Sequence, residues 1–237
     1  MSARPVAIVT GAAGGIGGEL CAALDGANYT VVAVDRREPT GTFQFIAANL
    51  ASPEGPGEAV RAALALFGRI DLVVHAAGVF DSRPTREVTV ESWDFTMNVN
   101  LRAAFFLAQA AMTALTKAKG SIVNISSVAG HYPRADQAAY CASKAALEHL
   151  TRVLALDFAP SGIRVNAVRP GVVETGMARE SYGAGGLARW AEAVPLRQLA
   201  LPSDIAEAVV YLARARHITG HVLTVDGGQT INFVRSG

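Results

Sequence analysis

Apolar positions along this chain keep two alternating rhythms. Short runs rich in β-branched residues at 6–10, 30–35, 70–75, 121–125 and 163–168 predict buried parallel strands, with a last strand at 221–225 and a weaker one at 43–46. Between them, residues 16–24, 58–67, 93–115, 137–158 and 203–212 space their apolar positions at three and four, the period of a helix with one buried face. Such β-α alternation predicts right-handed crossovers and an α/β fold: a single-domain, Rossmann-type doubly wound parallel sheet with helices on both faces.

The punctuation agrees with one domain over residues 1–237, since no linker, repeat or low-complexity tract interrupts the pattern. Pro53-Glu-Gly-Pro-Gly57 reads as a turn leading into a helix. Residues 176–202 read as irregular, with a glycine cluster at Tyr182-Gly-Ala-Gly-Gly186 suited to a hinge. Ligands of doubly wound sheets bind beyond the carboxyl ends of the strands, so this segment is expected to overhang that crevice as a substrate lid.

Composition removes several classes of function. With 51% hydrophobic and 17% charged residues, the 237-residue chain buries a sizeable core, which excludes disordered and fibrous proteins. Basic and acidic residues nearly cancel, 21 against 20, without a basic stripe, so neither nucleic acid nor an anionic membrane is an expected partner. Cys21 and Cys141 are too few for a disulfide framework or a Cys-rich zinc site; both read as small apolar residues on helices, and no metal is expected. Met1-Ser-Ala-Arg-Pro5 runs directly into a strand, and no span of about 18 residues is apolar enough to cross a bilayer, so a cytoplasmic location is expected.

Three features carry chemistry. Tyr140 and Lys144 stand at i and i+4 of a predicted helix and share a face, where a cation is expected to pull the phenol down from its usual pKa of about 10 toward use as a base. Thr10-Gly-Ala-Ala-Gly-Gly-Ile-Gly17 joins the first strand to the first helix; its glycines allow a tight turn and close approach to a pyrophosphate at the helix N-terminus. Asp35, 18 residues beyond Gly17 at the end of the second strand, can accept both ribose hydroxyls of an adenosine, and its charge opposes a 2′-phosphate. NAD is therefore the expected cofactor, although Arg36 and Arg37 could hold that phosphate of NADP.

Together with Ala76-Ala-Gly78, Asn100-Leu101, Ser127 and Pro170-Gly171, these motifs resemble the short-chain dehydrogenase/reductase family over nearly the whole chain. The resemblance implies Tyr140 as general acid/base, Lys144 lowering its pKa and binding the nicotinamide ribose, Ser127 bonding the substrate oxygen, and Asn100 holding a water in a relay to Lys144. Of Asn98 and Asn100, about 200° apart on a helix, only one can face the site. It implies that Gly11, Gly15, Ile16, Gly17, Asp35, Asn49, Leu50, Ala77, Gly78, Pro170, Val173 and Thr175 hold the dinucleotide, the last two its carboxamide. Two departures stand out: His75 where the family commonly has asparagine, read as a hydrogen-bonded strand-end histidine, and Asn49 where an aspartate often meets adenine. Ser126, by strand alternation, faces away from Ser127.

Two further segments, Ser127–Arg134 and Arg216–Gly228, resemble the 2,3-dihydro-2,3-dihydroxybenzoate dehydrogenases within that family. The resemblance implies NAD-dependent oxidation of a ring hydroxyl on a cyclohexadiene carboxylate to an aromatic acid; a dihydro-hydroxyanthranilate would present the same groups. Arg134, between Ser127 and Tyr140, suits a substrate carboxylate held through two parallel hydrogen bonds. Met177 and Arg179 are further lining candidates. A 3-oxoacyl or other carbonyl reductase using NADPH, and a catalytically silent dinucleotide-binding sensor, are the competing readings. The family resemblance further implies a homotetramer, its interfaces on residues 93–115 and 137–158, with the alanines 103, 104, 108, 110 and 111 permitting close approach, and on residues 226–233.

Overall fold

The computed structural model describes residues 4–232. Seven strands form one fully parallel sheet in the order β3-β2-β1-β4-β5-β6-β7, namely β1 (Val6–Thr10), β2 (Thr30–Asp35), β3 (Gln44–Ala47), β4 (Leu72–His75), β5 (Ser121–Ile125), β6 (Arg164–Pro170) and β7 (Val222–Val225). β1 and β4 are buried at every position because helices cover both faces, which is why their sequences read as unbroken apolar runs.

Alternation along β1 divides the core. Val6 and Ile8 point into a cluster with Val60, Leu107, Ile122 and Leu154, beneath α2 (Gly55–Phe67), α4 (Ala103–Ala118) and α5 (Ala138–Phe158). Ala7 and Val9 point the other way, against Leu20 and Leu24 of α1 (Gly15–Gly26) and Ile205, Val209 and Leu212 of α7 (Pro202–Arg214). The chain winds from β1 to β3 in one direction and from β4 onward in the other, so a crevice opens where β1 and β4 lie side by side.

Two expectations change. The helix anticipated at 93–115 is α3 (Val90–Met97), a π-helical turn at Asn98–Arg102, and then α4. It also starts earlier, because Thr89 and Ser92 cap it reciprocally, each side chain accepting the other's backbone N–H at 3.2 Å. The segment expected to be irregular is mostly α6 (Gly176–Ala193), broken only at Gly183, whose φ of +62° with ψ of 171° is a combination essentially confined to glycine. None of the seven residues at 184–190 beyond the break is β-branched or proline, so the helix resumes.

The alanine face expected at a subunit boundary serves the chain's own core instead: Ala103, Ala108 and Ala111 are buried within the first cluster, Ala110 packs against it, and Ala104 is buried as well. Of the second expected boundary, Phe233 lies outside the described residues. Among those residues no helix is long and apolar enough to cross a membrane.

Candidate active site

The crevice is shaped first by what cannot fit. Gly11 turns with φ +71°, and a Cβ there would lie 2.7 Å from the Ala77 backbone; a Cβ on Gly17 would lie 2.0 Å from the Gly11 carbonyl oxygen. The β1–α1 loop therefore nests against the end of β4, and the first turn of α1 opens its free N–H groups onto a cleft. That cleft is bordered by Gly11, Gly15, Ile16, Gly17, Asp35, Asn49, Leu50, Ala77 and Gly78. Its shape and its donors fit a dinucleotide diphosphate.

Asp35 is tied into the cleft wall. Its Oδ2 accepts from Ala13 N–H at 3.0 Å, and its Oδ1 from Arg36 N–H at 2.7 Å and Arg37 N–H at 3.2 Å. Both arginine side chains border the same cleft. Asn49 turns its Oδ1 to Ala51 N–H at 3.1 Å, leaving its amide donors free toward the cleft, while Leu50 is buried.

An adjoining cavity shares Ile16, Gly78, Val79, Phe80, Thr175 and Met177 with this cleft and adds Ser127, Arg134, Tyr140, Lys144, Pro170 and Val173. α5 brings Tyr140 and Lys144 onto one face, as their spacing predicts. Lys144 is buried, its Nζ donating to the Ile125 carbonyl at 2.8 Å, and desolvation pulls its pKa down to about 8. Here the structure departs from the expected pairing. Nζ lies over the Tyr140 ring, 5.8 Å from its centroid. Burial raises the phenol's pKa above its ordinary value; the Ser127 hydroxyl and, more weakly, Arg134 oppose it. Tyr182 and Cys141 add to the rise.

Ser127 follows β5 and caps the short turn at Val128–Gly130, its Oγ accepting from Ala129 N–H at 3.1 Å. The Ser126 hydroxyl is taken up in a buried bond to Glu148. Asn100 sits in the π-turn, fully buried; its Nδ2 donates to the Val79 carbonyl and to Ser143 Oγ, both at 3.0 Å, and its Oδ1 accepts from Val79 N–H at 2.8 Å. Asn98 is less buried and takes no part. A Cβ built on Gly78 would stand 3.4 Å from Lys144 Nζ and 3.5 Å from Asn100 Oδ1, so one small space lies between the two side chains.

His75 is buried beneath this corner. Its Nδ1 lies 3.1 Å from Thr10 Oγ1, which accepts from Ala77 N–H at 3.2 Å. Its Nε2 faces the carbonyls of Val99 and Asn100 without closing a well-formed bond to either. Burial, then the Lys144 charge, lowers its pKa to about 3, so the ring is neutral.

The far wall is aromatic, and sequence reading missed it. Phe80 packs edge-on against Tyr140 at 5.0 Å between centroids, Tyr182 lies 6.4 Å from Phe80, and Trp190 lies 6.0 Å from Tyr182. Arg134 stacks its guanidinium 4.4 Å from the Trp190 centroid. The only available signal was Tyr182 and Trp190 recurring near the Met177 segment. Arg179 does not line the cavity; it pairs on the surface with Glu174 at 2.6 Å. Thr175 caps α6 by accepting from Ala178 N–H at 3.2 Å. No cluster of metal-ligating side chains occurs among the described residues.

The arrangement thus joins a diphosphate cradle to a pocket holding a hydroxyl, a phenol and a buried amine. A family profile described as enoyl-(acyl carrier protein) reductase matches residues 11–230. The chain is similar to an acetoacetyl-CoA reductase from Acinetobacter, 36% identical across 96% of this chain and 98% of that one. It is similar to a trans-4-hydroxycyclohexanecarboxylate dehydrogenase from Sinomonas cyclohexanicum, 33% identical across 96% and 93%. A solved structure from Beutenbergia cavernae, with bound NADP at low occupancy, superposes with a TM-score of 0.90 at 33% identity, over 96% of this chain and 97% of that one. On this cradle, this pocket and these matches, the chain belongs to the short-chain dehydrogenase/reductase family of nicotinamide-dependent oxidoreductases.

Proposed function

We propose that this protein oxidises a secondary alcohol on a six-membered ring that also carries a carboxylate, with NAD as the hydride acceptor. A dihydro-dihydroxybenzoate is the type substrate: its ring ketone would tautomerise to an aromatic acid. The carrying observation is Arg134, which borders the cavity of Ser127 and Tyr140, and whose guanidinium has no carboxylate partner among the described residues. Stacking on Trp190 occupies one planar face and leaves its N–H edges for an anion. A relative named for a hydroxycyclohexanecarboxylate supports the same ring, alcohol and acid.

When bound, the dinucleotide supplies the hydride chemistry. Ser127 donates to the alcohol oxygen, and Tyr140 takes its proton. Lys144 holds the nicotinamide ribose, and Asn100 lines the relay space above Gly78 that returns the proton toward solvent. Val173 and Thr175 hold the carboxamide, Pro170 and Ile16 the nicotinamide, and Met177 with α6 forms the lid. Asp35 disfavours a 2′-phosphate, which is the reason for NAD.

A second reading, carbonyl reduction with NADPH, is favoured by Arg36 and Arg37 bordering the cleft. The family resemblance adds a homotetramer built on the outer faces of α4 and α5, where Phe106, Val153 and Leu156 are exposed. Initial rates with NAD and NADP on 4-hydroxycyclohexanecarboxylate, a dihydro-dihydroxybenzoate, its amino analogue and plain cyclohexanol, and with NADH and NADPH on an acyclic ketone, test the proposal. Preference for NAD and for the carboxylates supports it; preference for NADPH with an acyclic ketone supports the alternative.

A further inference from the structure

Glu148 follows Tyr140 and Lys144 on α5 at the same four-residue spacing, so all three share one face. It is buried, 4% exposed, and its carboxylate is fully engaged. Oε1 accepts from Ser126 Oγ at 2.9 Å and from Arg169 Nε at 2.7 Å; Oε2 accepts from Arg169 Nη2 at 2.5 Å. Ser126 immediately precedes Ser127 at the end of β5, and its N–H donates to the Val168 carbonyl at 2.8 Å. Arg169 immediately precedes Pro170 at the end of β6, and its Nη1 reaches Thr224 Oγ1 of β7 at 3.3 Å. Asp226 and Tyr132 are the other ionisable groups facing Arg169.

We propose that Glu148 is a positioning residue, which through Ser126 and Arg169 fixes the ends of β5 and β6 against α5 and so sets Ser127 and Pro170 relative to Tyr140. Stability alone gives no reason for this arrangement. Removing two charges from water offsets most of their attraction, and a buried ion pair is commonly replaced by apolar side chains of like volume without loss. Apolar packing, however, does not fix register as directional bonds do. A pocket that must hold hydroxyl, phenol and ring within a fraction of an ångström uses that direction. One carboxylate meets all three elements on which the proposed chemistry stands.

The inference rests on the proposed roles of Ser127 and Tyr140, and its test separates the two. Turnover of 4-hydroxycyclohexanecarboxylate by wild type and by Tyr140→Phe examines those roles. The lock is examined by the ratio of variant to wild type. Glu148→Leu alone leaves Arg169 buried and unpaired and is expected to lower the melting temperature sharply. The double variant Glu148→Leu/Arg169→Met is expected to recover the melting temperature while kcat stays about tenfold or more below wild type, with dinucleotide affinity within about twofold. Ser126→Ala keeps the ion pair; it is expected to melt like wild type yet lose about threefold or more in kcat. A double variant with recovered melting and wild-type kcat overturns the inference. If the double variant does not fold, an unchanged kcat in Ser126→Ala overturns it.

Discussion

Lys144 Nζ lies over the ring of Tyr140, 5.8 Å from its centroid, and spends a 2.8 Å bond on the Ile125 carbonyl. Desolvation, the largest influence on that phenol, raises its pKa above the ordinary value. Proton removal from an alcohol by Tyr140 is expected to become more effective as pH rises above neutrality, and alcohol oxidation with it. Tyr140→Phe keeps the ring and its contact with Phe80 but has no proton to exchange. It is expected to bind the dinucleotide as wild type does and to lose about 10²–10⁴ in turnover. Fluorescence titration and steady-state rates check both halves; equal turnover in the variant would remove Tyr140 from the mechanism.

Holding Lys144 in place is expensive. Its folded pKa is about 8 against an ordinary 10.5, so below pH 8 the folded chain carries a buried ammonium that the unfolded chain hydrates freely. Between 8 and 10.5 the unfolded state binds the extra proton, and stability rises with pH over that window by about 3 kcal/mol. Lys144→Met removes the penalty but leaves the Ile125 carbonyl unpaired, which costs about 1–3 kcal/mol. At pH 7 the variant is expected to be inactive and as stable as wild type or up to about 2 kcal/mol more so. Denaturant midpoints should show this difference moving against the variant as pH climbs from 8 to 10.5. A wild type whose stability is flat over that range would show that the ammonium is not penalised.

What could be read from the sequence follows from which forces are local. β1 and β4 are covered on both faces and so appear as apolar runs; Tyr140 and Lys144 lie on one helix, where spacing alone sets their common face. The π-turn at Asn98–Arg102 left no such trace, since Asn100 is held there by Val79 and Ser143, the latter 43 residues away. The direction of the Tyr140 shift was misread for the same reason: spacing places Lys144 nearby but says nothing of the burial that raises the phenol's pKa. The alanines of α4 misled in another way, because small residues suit a partner helix and a chain's own sheet equally well. Phe80, Tyr182 and Trp190 come together only through tertiary packing.

Arg134 lines the cavity while the planar face of its guanidinium rests on Trp190. Arg134→Ala is expected to raise KM for a cyclohexanol carboxylate by about 10-fold to 100-fold, the loss of a charge-assisted bidentate pair. KM for neutral cyclohexanol should change by less than about twofold, since that substrate has no charge to lose. Equal effects on both alcohols would make Arg134 a support for Trp190 and not a carboxylate receptor.

Gly78 borders the gap between Lys144 Nζ and Asn100 Oδ1, and an added methyl would meet them at 3.4 and 3.5 Å. These are contacts without hard overlap, so Gly78→Ala is expected to fold and to lose about 1 kcal/mol of stability or less. The methyl fills the space proposed for proton relay. Turnover is therefore expected to fall about tenfold or more with little change in dinucleotide affinity. A variant that turns over normally would place the relay elsewhere.

His75 makes the protein sensitive to acid from within. Its folded pKa of about 3 lies below the ordinary 6.5, chiefly through burial and secondarily through the Lys144 charge. The unfolded chain takes up a proton as pH falls through 6.5 while the folded ring stays neutral until about 3. Stability is thus whole above 6.5 and declines toward 3, by about 4 kcal/mol from this residue alone. The imidazole is enclosed, so solvent does little to screen the effect. His75→Asn cannot titrate, and its amide can still bond Thr10 Oγ1, so the fold should persist at neutral pH. Urea midpoints measured from pH 7 down to 4 are expected to fall less steeply in the variant. Parallel decline in the two proteins would assign the acid sensitivity to carboxylates and leave His75 as a structural link between Thr10 and the π-turn.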